Sequence, residues 1–235
     1  MEKTIQRRKR SFFYIIVSVI FLLIVLAGFT PTYYFPVIQN SFTTDIPIIH
    51  IHAALYSFWI LFTIVQPALV VTGRTKFHKK IGIAGFILAA GMIIFGLAVA
   101  ITRVKLSLGT EKEHFHKSFL IIQVTDMILF ATFIGSSLLK IKKPEIHKRL
   151  MILATLSLLP AALGRICIYT GLPVVITIIY TVPFIVAFCI YDWFKKKKIY
   201  KVYILGGLFI LTVHIIRELL METNIWLKIS EFIVE

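Results

Sequence analysis

Apolar runs of about twenty residues alternate along this chain with short, strongly basic segments. A helix rises 1.5 Å per residue, so a run of that length spans the roughly 30 Å hydrocarbon core of a bilayer. Seven runs are legible, near residues 11–30, 48–71, 81–102, 118–139, 150–170, 174–194 and 202–221. The pattern predicts an all-α fold: a polytopic membrane helix bundle forming one integral membrane domain over 1–235, with a basic tail at 1–10 and a second tail at 222–235. The first run follows its basic tail as a signal peptide would. No small-residue cleavage site interrupts Ser11 to Thr30, and further spans follow, so it reads as a retained helix. Thr30-Pro31-Thr32-Tyr33-Tyr34-Phe35-Pro36 reads as a loop whose aromatics belong to an interfacial belt. Asn224 to Glu235 alternates apolar and polar residues and reads as a short interfacial helix anchored by Trp226.

Composition agrees. Of 235 residues, 58% are hydrophobic and only 16% charged, and the mean hydropathy is +0.89. Soluble domains carry about a quarter charged residues, so the bilayer is the solvent for most of these side chains. The net charge of +15 suggests nucleic acid until its distribution is read. Of 26 Lys and Arg, 19 fall in four clusters: Lys3 to Arg10, Arg74 to Lys80, Lys140 to Arg149, and Lys195 to Lys201. Each cluster caps an apolar run, as the positive-inside rule requires of cytoplasmic loops, and none forms a soluble basic module. The expected partners are the lipid bilayer and anionic headgroups at the cytoplasmic loops, not nucleic acid. The expected location is a bacterial cytoplasmic (inner) membrane, with a cytoplasmic N-terminus and external loops at 31–47 and 103–117. Cys167 and Cys189 lie inside apolar runs and read as packing residues rather than a disulfide.

Two segments look alike. Gly73-Arg74-Thr75-Lys76-Phe77-His78-Lys79-Lys80-Ile81 and Lys142-Lys143-Pro144-Glu145-Ile146-His147-Lys148-Arg149-Leu150 each lead into an apolar helix. They suggest a parallel duplication of helix pairs two–three and four–five, with convergence of basic loops as the alternative. His52 and His116 begin the apolar runs preceding these segments. The topology therefore sorts four histidines into an outer pair, His52 and His116, and an inner pair, His78 and His147. A bis-histidine b-type haem needs two imidazoles on facing helices with apolar walls around the porphyrin. Lys79, Lys80, Lys117, Lys148 and Arg149 directly follow these histidines and draw the imidazoles towards water, which supports an interfacial role instead. His50 and His114 lie two residues from His52 and His116, and that spacing points them to other helix faces.

This order of histidines resembles the cytochrome b-561 family of di-haem membrane electron carriers. The resemblance covers roughly residues 48–168 and rests on Arg74-Thr75-Lys76-Phe77-His78 and Lys143-Pro144-Glu145-Ile146-His147. It implies haem b held by His52 with His116 and by His78 with His147, and electron transfer across the bilayer. The runs from His52 to Gly82 and from Pro144 to Arg165 also resemble uncharacterised bacterial multi-pass membrane proteins, a likeness that supplies a class but no activity.

A second constellation competes. Asp126, Arg165, His214, Arg217 and Glu218 lie in or near apolar runs, all in the outer half by count from the expected ends. Ionisable residues in a membrane are costly and usually face a cavity or one another. Pairing of Asp126 with Arg165 or Arg217 would neutralise the charge, either as a structural clamp between helices or as the outer-leaflet pocket of a transporter or receptor. His214 and Glu218 share a helix face. They leave a zinc-dependent hydrolase as a third reading, although no third ligand is identifiable. Gly82, Gly85, Gly91, Gly96, Gly206 and Gly207 suit close helix packing, and Pro67, Pro160 and Pro183 suit kinks.

Overall fold

The computed structural model describes residues 11–42 and 46–235. The basic tail at 1–10 lies outside the described residues. Among those residues there is no strand, and seven helices are long and apolar enough to cross a membrane. They are α1 (Phe13–Ile38), α2 (Pro47–Val71), α3 (Thr75–Ser107), α4 (Glu113–Leu139), α5 (Pro144–Thr170), α6 (Ile176–Lys196) and α7 (Lys201–Leu220). A shorter helix, α8 (Asn224–Val234), follows. The loops carrying the basic clusters at 73–80, 140–149 and 195–201 join α2 to α3, α4 to α5 and α6 to α7. They therefore share one end of the bundle, called here the basic end.

Neighbouring spans pack as antiparallel pairs from α2 through to the first half of α5. Helix α1 lies against α2 and the second half of α5, and α7 lies against α6, α4 and the first half of α5. Helices α4 and α5 are the most enclosed spans. The core that joins them contains Trp59, Phe130, Phe133, Leu153, Leu156, Tyr203 and Ile210. Lipid-facing positions are as regular as the core: Ile83, Ile87 and Ile94 make one exposed stripe along α3 at helical spacing.

Several helices outrun their apolar windows. His78, His116 and His147 therefore sit in the opening turns of α3, α4 and α5 rather than in loops. Thr30 to Pro36 also differs from the expected loop. Helix α1 continues through it by one π-helical turn, Thr30–Tyr34, to Ile38. Pro31 has no N–H to donate, and the wider turn accommodates it, as such turns do at breaks in the hydrogen-bond ladder. The Tyr34 hydroxyl donates to Ser57 Oγ (2.7 Å), which ties this turn to α2.

Helix α5 has a real interruption. Its first half ends at Leu156 and its second begins at Pro160. Pro160 cannot donate to the Leu156 carbonyl, which instead accepts from Leu159 N (3.1 Å) and from the Tyr180 hydroxyl of α6 (2.8 Å). In hydrocarbon an unsatisfied carbonyl would cost several kcal/mol, so the tightened backbone turn and the tyrosine together make this break tolerable. The α2–α3 and α4–α5 units each turn through a short basic connection, but the first turns at Gly73 with positive φ and the second does not, and α3 is a continuous helix whereas α5 is not.

Helix α8 is strongly amphipathic, as the alternation in its sequence implies. Thr223 caps it by accepting Trp226 N (3.3 Å), and the Trp226 indole donates to the Lys117 carbonyl (3.0 Å). Lys117 bridges Glu113 of α4 (2.6 Å) and Glu231 of α8 (3.0 Å). Phe232 and Ile225 stay exposed on the outer face. Glu222, just beyond α7, accepts from His114 Nε2 (2.8 Å), which holds its carboxyl below the usual carboxylate range.

Of the glycines, Gly28 decides the packing most directly. A Cβ there would lie 2.5 Å from the Ala162 carbonyl oxygen and 2.8 Å from Ala162 Cα, so the α1 and α5 backbones touch at this point. Gly82 has open space around its missing Cβ. We expect Gly28→Ala to destabilise the protein by about 1–3 kcal/mol, the usual cost of overpacking, and Gly82→Ala to change stability by less than about 0.5 kcal/mol. Thermal unfolding in detergent compares the two, and equal midpoints would refute the backbone contact.

Candidate functional site

On α7 the buried residues Tyr203, Gly206, Ile210, His214 and Arg217 recur every three or four positions. This spacing makes one inward stripe. Its upper part meets Asp126, which α4 turns into the bundle. Arg217 Nη1 donates to Asp126 Oδ1 at 2.5 Å, and His214 Nε2 stands 4.0 Å from the same oxygen. Glu218 is half-buried, and its Oε1 lies 3.9 Å from Arg217 Nε. The Tyr180 ring stacks on His214, with centroids 5.8 Å apart. This is the tyrosine that satisfies the carbonyl freed by Pro160, so the break in α5 also sets the wall of the charged site. Tyr56 of α2 approaches from the other side and donates to Met127 Sδ (3.1 Å), one residue after Asp126.

This cluster contains donors and acceptors left over from its own pairing. Among the described residues, neither ring nitrogen of His214 nor Arg217 Nε makes a well-formed hydrogen bond; the imidazole does face the Ile178 carbonyl of α6. The side chains of His214 and Arg217 are at most 1% exposed, so bulk water does not compensate them. Arg165 stands apart from the cluster. It donates to the Ala161 carbonyl (2.7 Å), lies over the Phe29 ring (4.2 Å), and is in electrostatic range of His52 and Arg103. Four of the five residues in the expected polar site therefore converge, and Arg165 belongs to a different neighbourhood. For a zinc site the donors are too few: His214 has one carboxylate near it, Glu218 turns to Arg217, and among the described residues no three His, Cys, Asp or Glu side chains gather.

The four repeated histidines divide. His78 lies in electrostatic range of His147 and faces the Gln66 carbonyl of α2. His147 Nδ1 donates to the Ser137 carbonyl (2.9 Å), leaving its Nε2 as the nitrogen free to bind. His78 Nδ1 and both amide atoms of Gln66 are buried without hydrogen-bond partners. The outer pair is arranged differently. His52 stacks on Tyr56 (4.2 Å) and reaches the Phe95 carbonyl. His116 faces Arg103 and Lys112. The two imidazoles thus have different neighbours on α3: the Phe95 carbonyl for His52 and, at electrostatic range, the Arg103 guanidinium for His116. Between α2 and α4, below His52, the space is filled by the Trp59–Phe130 edge-to-face pair (5.1 Å) and the Tyr56–Met127 contact. His50 turns to Tyr33 (3.0 Å), the separate face that its spacing from His52 implies.

One buried ion pair escapes the sequence reading. Arg149 and Asp192 are both fully buried. Arg149 Nε donates to Asp192 Oδ2 (2.9 Å), Nη2 donates to Oδ1, and Nη1 reaches Glu145 Oε2 (2.9 Å). The guanidinium also lies on the Tyr200 ring, 3.6 Å from its centroid. The sequence places Arg149 among basic-end charges, where it reads as solvated. The usable signal is Asp192, a lone acid inside the apolar run 174–194, which must find a cation. Comparison with known families, characterised proteins and solved structures finds no match to this chain.

Breaking a buried pair strands one charge, whereas replacing both partners with apolar residues does not. We expect Asp126→Asn or Arg217→Gln to cost about 3–5 kcal/mol, and Asp126→Leu with Arg217→Met to recover most of that loss. Denaturant or thermal unfolding of the purified protein measures the cycle. Single variants indistinguishable from the parent would show that the pair is not held out of water.

Proposed function

We propose that this is a membrane transport protein whose proton- or solute-handling locus is Asp126, His214 and Arg217, flanked by Glu218. The observation that carries the reading is the convergence of three buried ionisable groups from α4 and α7, with the His214 ring facing the Ile178 carbonyl but with neither of its nitrogens in a well-formed hydrogen bond among the described residues. A purely structural clamp needs only Asp126 and Arg217. His214 adds a second cation-forming group 4.0 Å from the same carboxylate oxygen. When His214 takes a proton it competes with Arg217 for Asp126, and a freed guanidinium is a binding group for an anion or a carboxylate. Protonation and ligand capture are coupled through one shared oxygen. With the basic loops on the cytoplasmic side of a bacterial inner membrane, the locus lies in the outer half of the bilayer. In liposomes carrying an internal pH-sensitive dye, an imposed potassium diffusion potential should drive proton entry faster than in protein-free vesicles. Asp126→Asn and His214→Gln should each reduce that rate by about tenfold or more, the equivalent of 1.4 kcal/mol in a rate-limiting step. Parent protein no faster than empty vesicles, or variants as fast as the parent, would reject this reading.

The neighbourhood of His78 and His147 favours a second reading, a single bis-histidine haem at the basic end. A ligating histidine commonly donates its other ring N–H to a carbonyl, and His147 does so to Ser137. His78 comes from the facing helix with a buried, unpartnered nitrogen. His78 and His147 would hold the group, and when bound it supplies one-electron transfer. The protein purified from haem-replete cells should then show a b-type absorption band that His147→Ala abolishes. A colourless preparation would sink the idea and leave the first reading standing.

A further inference from the structure

The end of the bundle opposite the basic end holds a second group of cations, which the topology rule does not explain. Arg103 closes α3, Lys112 precedes α4, His116 lies in its first turn, and Arg165 comes from the second half of α5. They are linked in space. Arg165 is in range of Arg103, His52 is in range of Arg165, and His116 is in range of Arg103 and Lys112. A cavity of about 430 Å³ opens here, lined by Arg103, Ser107, Thr110, Glu111, Lys112 and His116, with Leu106.

Charges at this end are unevenly matched. Glu113 and Glu231 are taken by Lys117, and Glu222 is taken by His114. Asp126 is taken by Arg217. Among the described residues, Glu111 is the acid left in the cavity lining, with Arg103 and Lys112; Arg165 lies outside that lining, in electrostatic range of Arg103. Arg165 has a backbone carbonyl and an aromatic face for company and, among the described residues, no carboxylate ion pair. His52 Nδ1 is buried without a partner in the same neighbourhood. Two guanidiniums placed near each other at a membrane surface repel unless an anion stands between or over them. Guanidiniums match the oxygens of phosphate-type anions in a fork geometry, and Ser107 and Thr110 add hydroxyls at the rim.

We propose that Arg103, Arg165, Lys112 and His116 form a binding site for a phosphate-type oxyanion at the end of the bundle opposite the basic loops. The anion is either a free solute or the headgroup of an anionic lipid lying against α3 and α5, since both present the same oxygens. The site does not depend on the Asp126–Arg217 locus or on transport.

The test uses the full chain in two arms. Inorganic phosphate is titrated calorimetrically against protein in nanodiscs of phosphatidylcholine alone, and phosphatidylglycerol retention is read by native mass spectrometry from mixed-lipid nanodiscs. One arm should show binding that Arg103→Gln with Arg165→Gln weakens by about tenfold or more, that Arg103→Lys with Arg165→Lys retains only in part because the fork geometry is lost, and that Lys228→Gln, an exposed cation of α8 outside the cavity lining, leaves unchanged. The arm that responds identifies the source of the anion. On the parent protein, the same probe should slow phenylglyoxal modification of Arg103 and Arg165 relative to Arg74, a readout that needs no variant to fold. Absence of binding by the parent in both arms overturns the proposal. So does binding to the double glutamine variant as tight as to the parent, or an absence of protection at Arg103 and Arg165.

Discussion

In hydrocarbon a polar group without a partner has no water to turn to, and that constraint organises this bundle more than apolar packing does. Apolar side chains meet lipid about as well as they meet one another. Asp126 can enter α4 only because α7 delivers Arg217 to it. Asp192 can enter α6 only because α5 delivers Arg149. The first pair joins spans far apart in the chain and the second joins consecutive ones, and together they hold α4 to α7 and α5 to α6 at different depths.

Pro160 carries the same constraint into the geometry of the site. The proline frees a carbonyl, Tyr180 satisfies it, and the Tyr180 ring then becomes the wall against His214. A local backbone defect in α5 thus positions an aromatic of α6 beside an imidazole of α7. His214 gains a stacking partner and faces the Ile178 carbonyl without a well-formed hydrogen bond, and that deficit separates the locus from the Arg149–Asp192 pair, where both Nε and Nη2 of the guanidinium bond to the carboxylate. Fully paired charges fasten helices; partly paired ones leave something for a ligand or a proton to do.

The legible part of the site was its membership rather than its pairing. Asp126, His214, Arg217 and Glu218 stand out because charge in an apolar run is rare. The His214–Arg217–Glu218 spacing puts them near one face. Arg165 stood out for the same reason and pairs with none of them, since depth along a helix leaves its rotation about the bundle undetermined. Arg149 was obscured by the basic residues around it. The histidine pairs show the same limit: the sequence orders all four along the spans, but only the structure shows that His78 lies in electrostatic range of His147, that His52 faces the Phe95 carbonyl and that His116 lies in range of Arg103 and Lys112.

The sequence by itself determined the solvent, the number of spans and the end of the bundle that gathers the basic loops. Those depend on run length and charge, which are local sums. It also marked the amphipathic tail that became α8. Tertiary structure alone decided which ionisable groups share an oxygen, which cations are left without an acid, and where α5 breaks its ladder onto Tyr180. These depend on how each helix is rotated about its axis and on contacts between residues tens of positions apart. Periodicity within a nearly all-apolar helix constrains that rotation poorly, because a span facing lipid on one side and protein on the other is apolar on both.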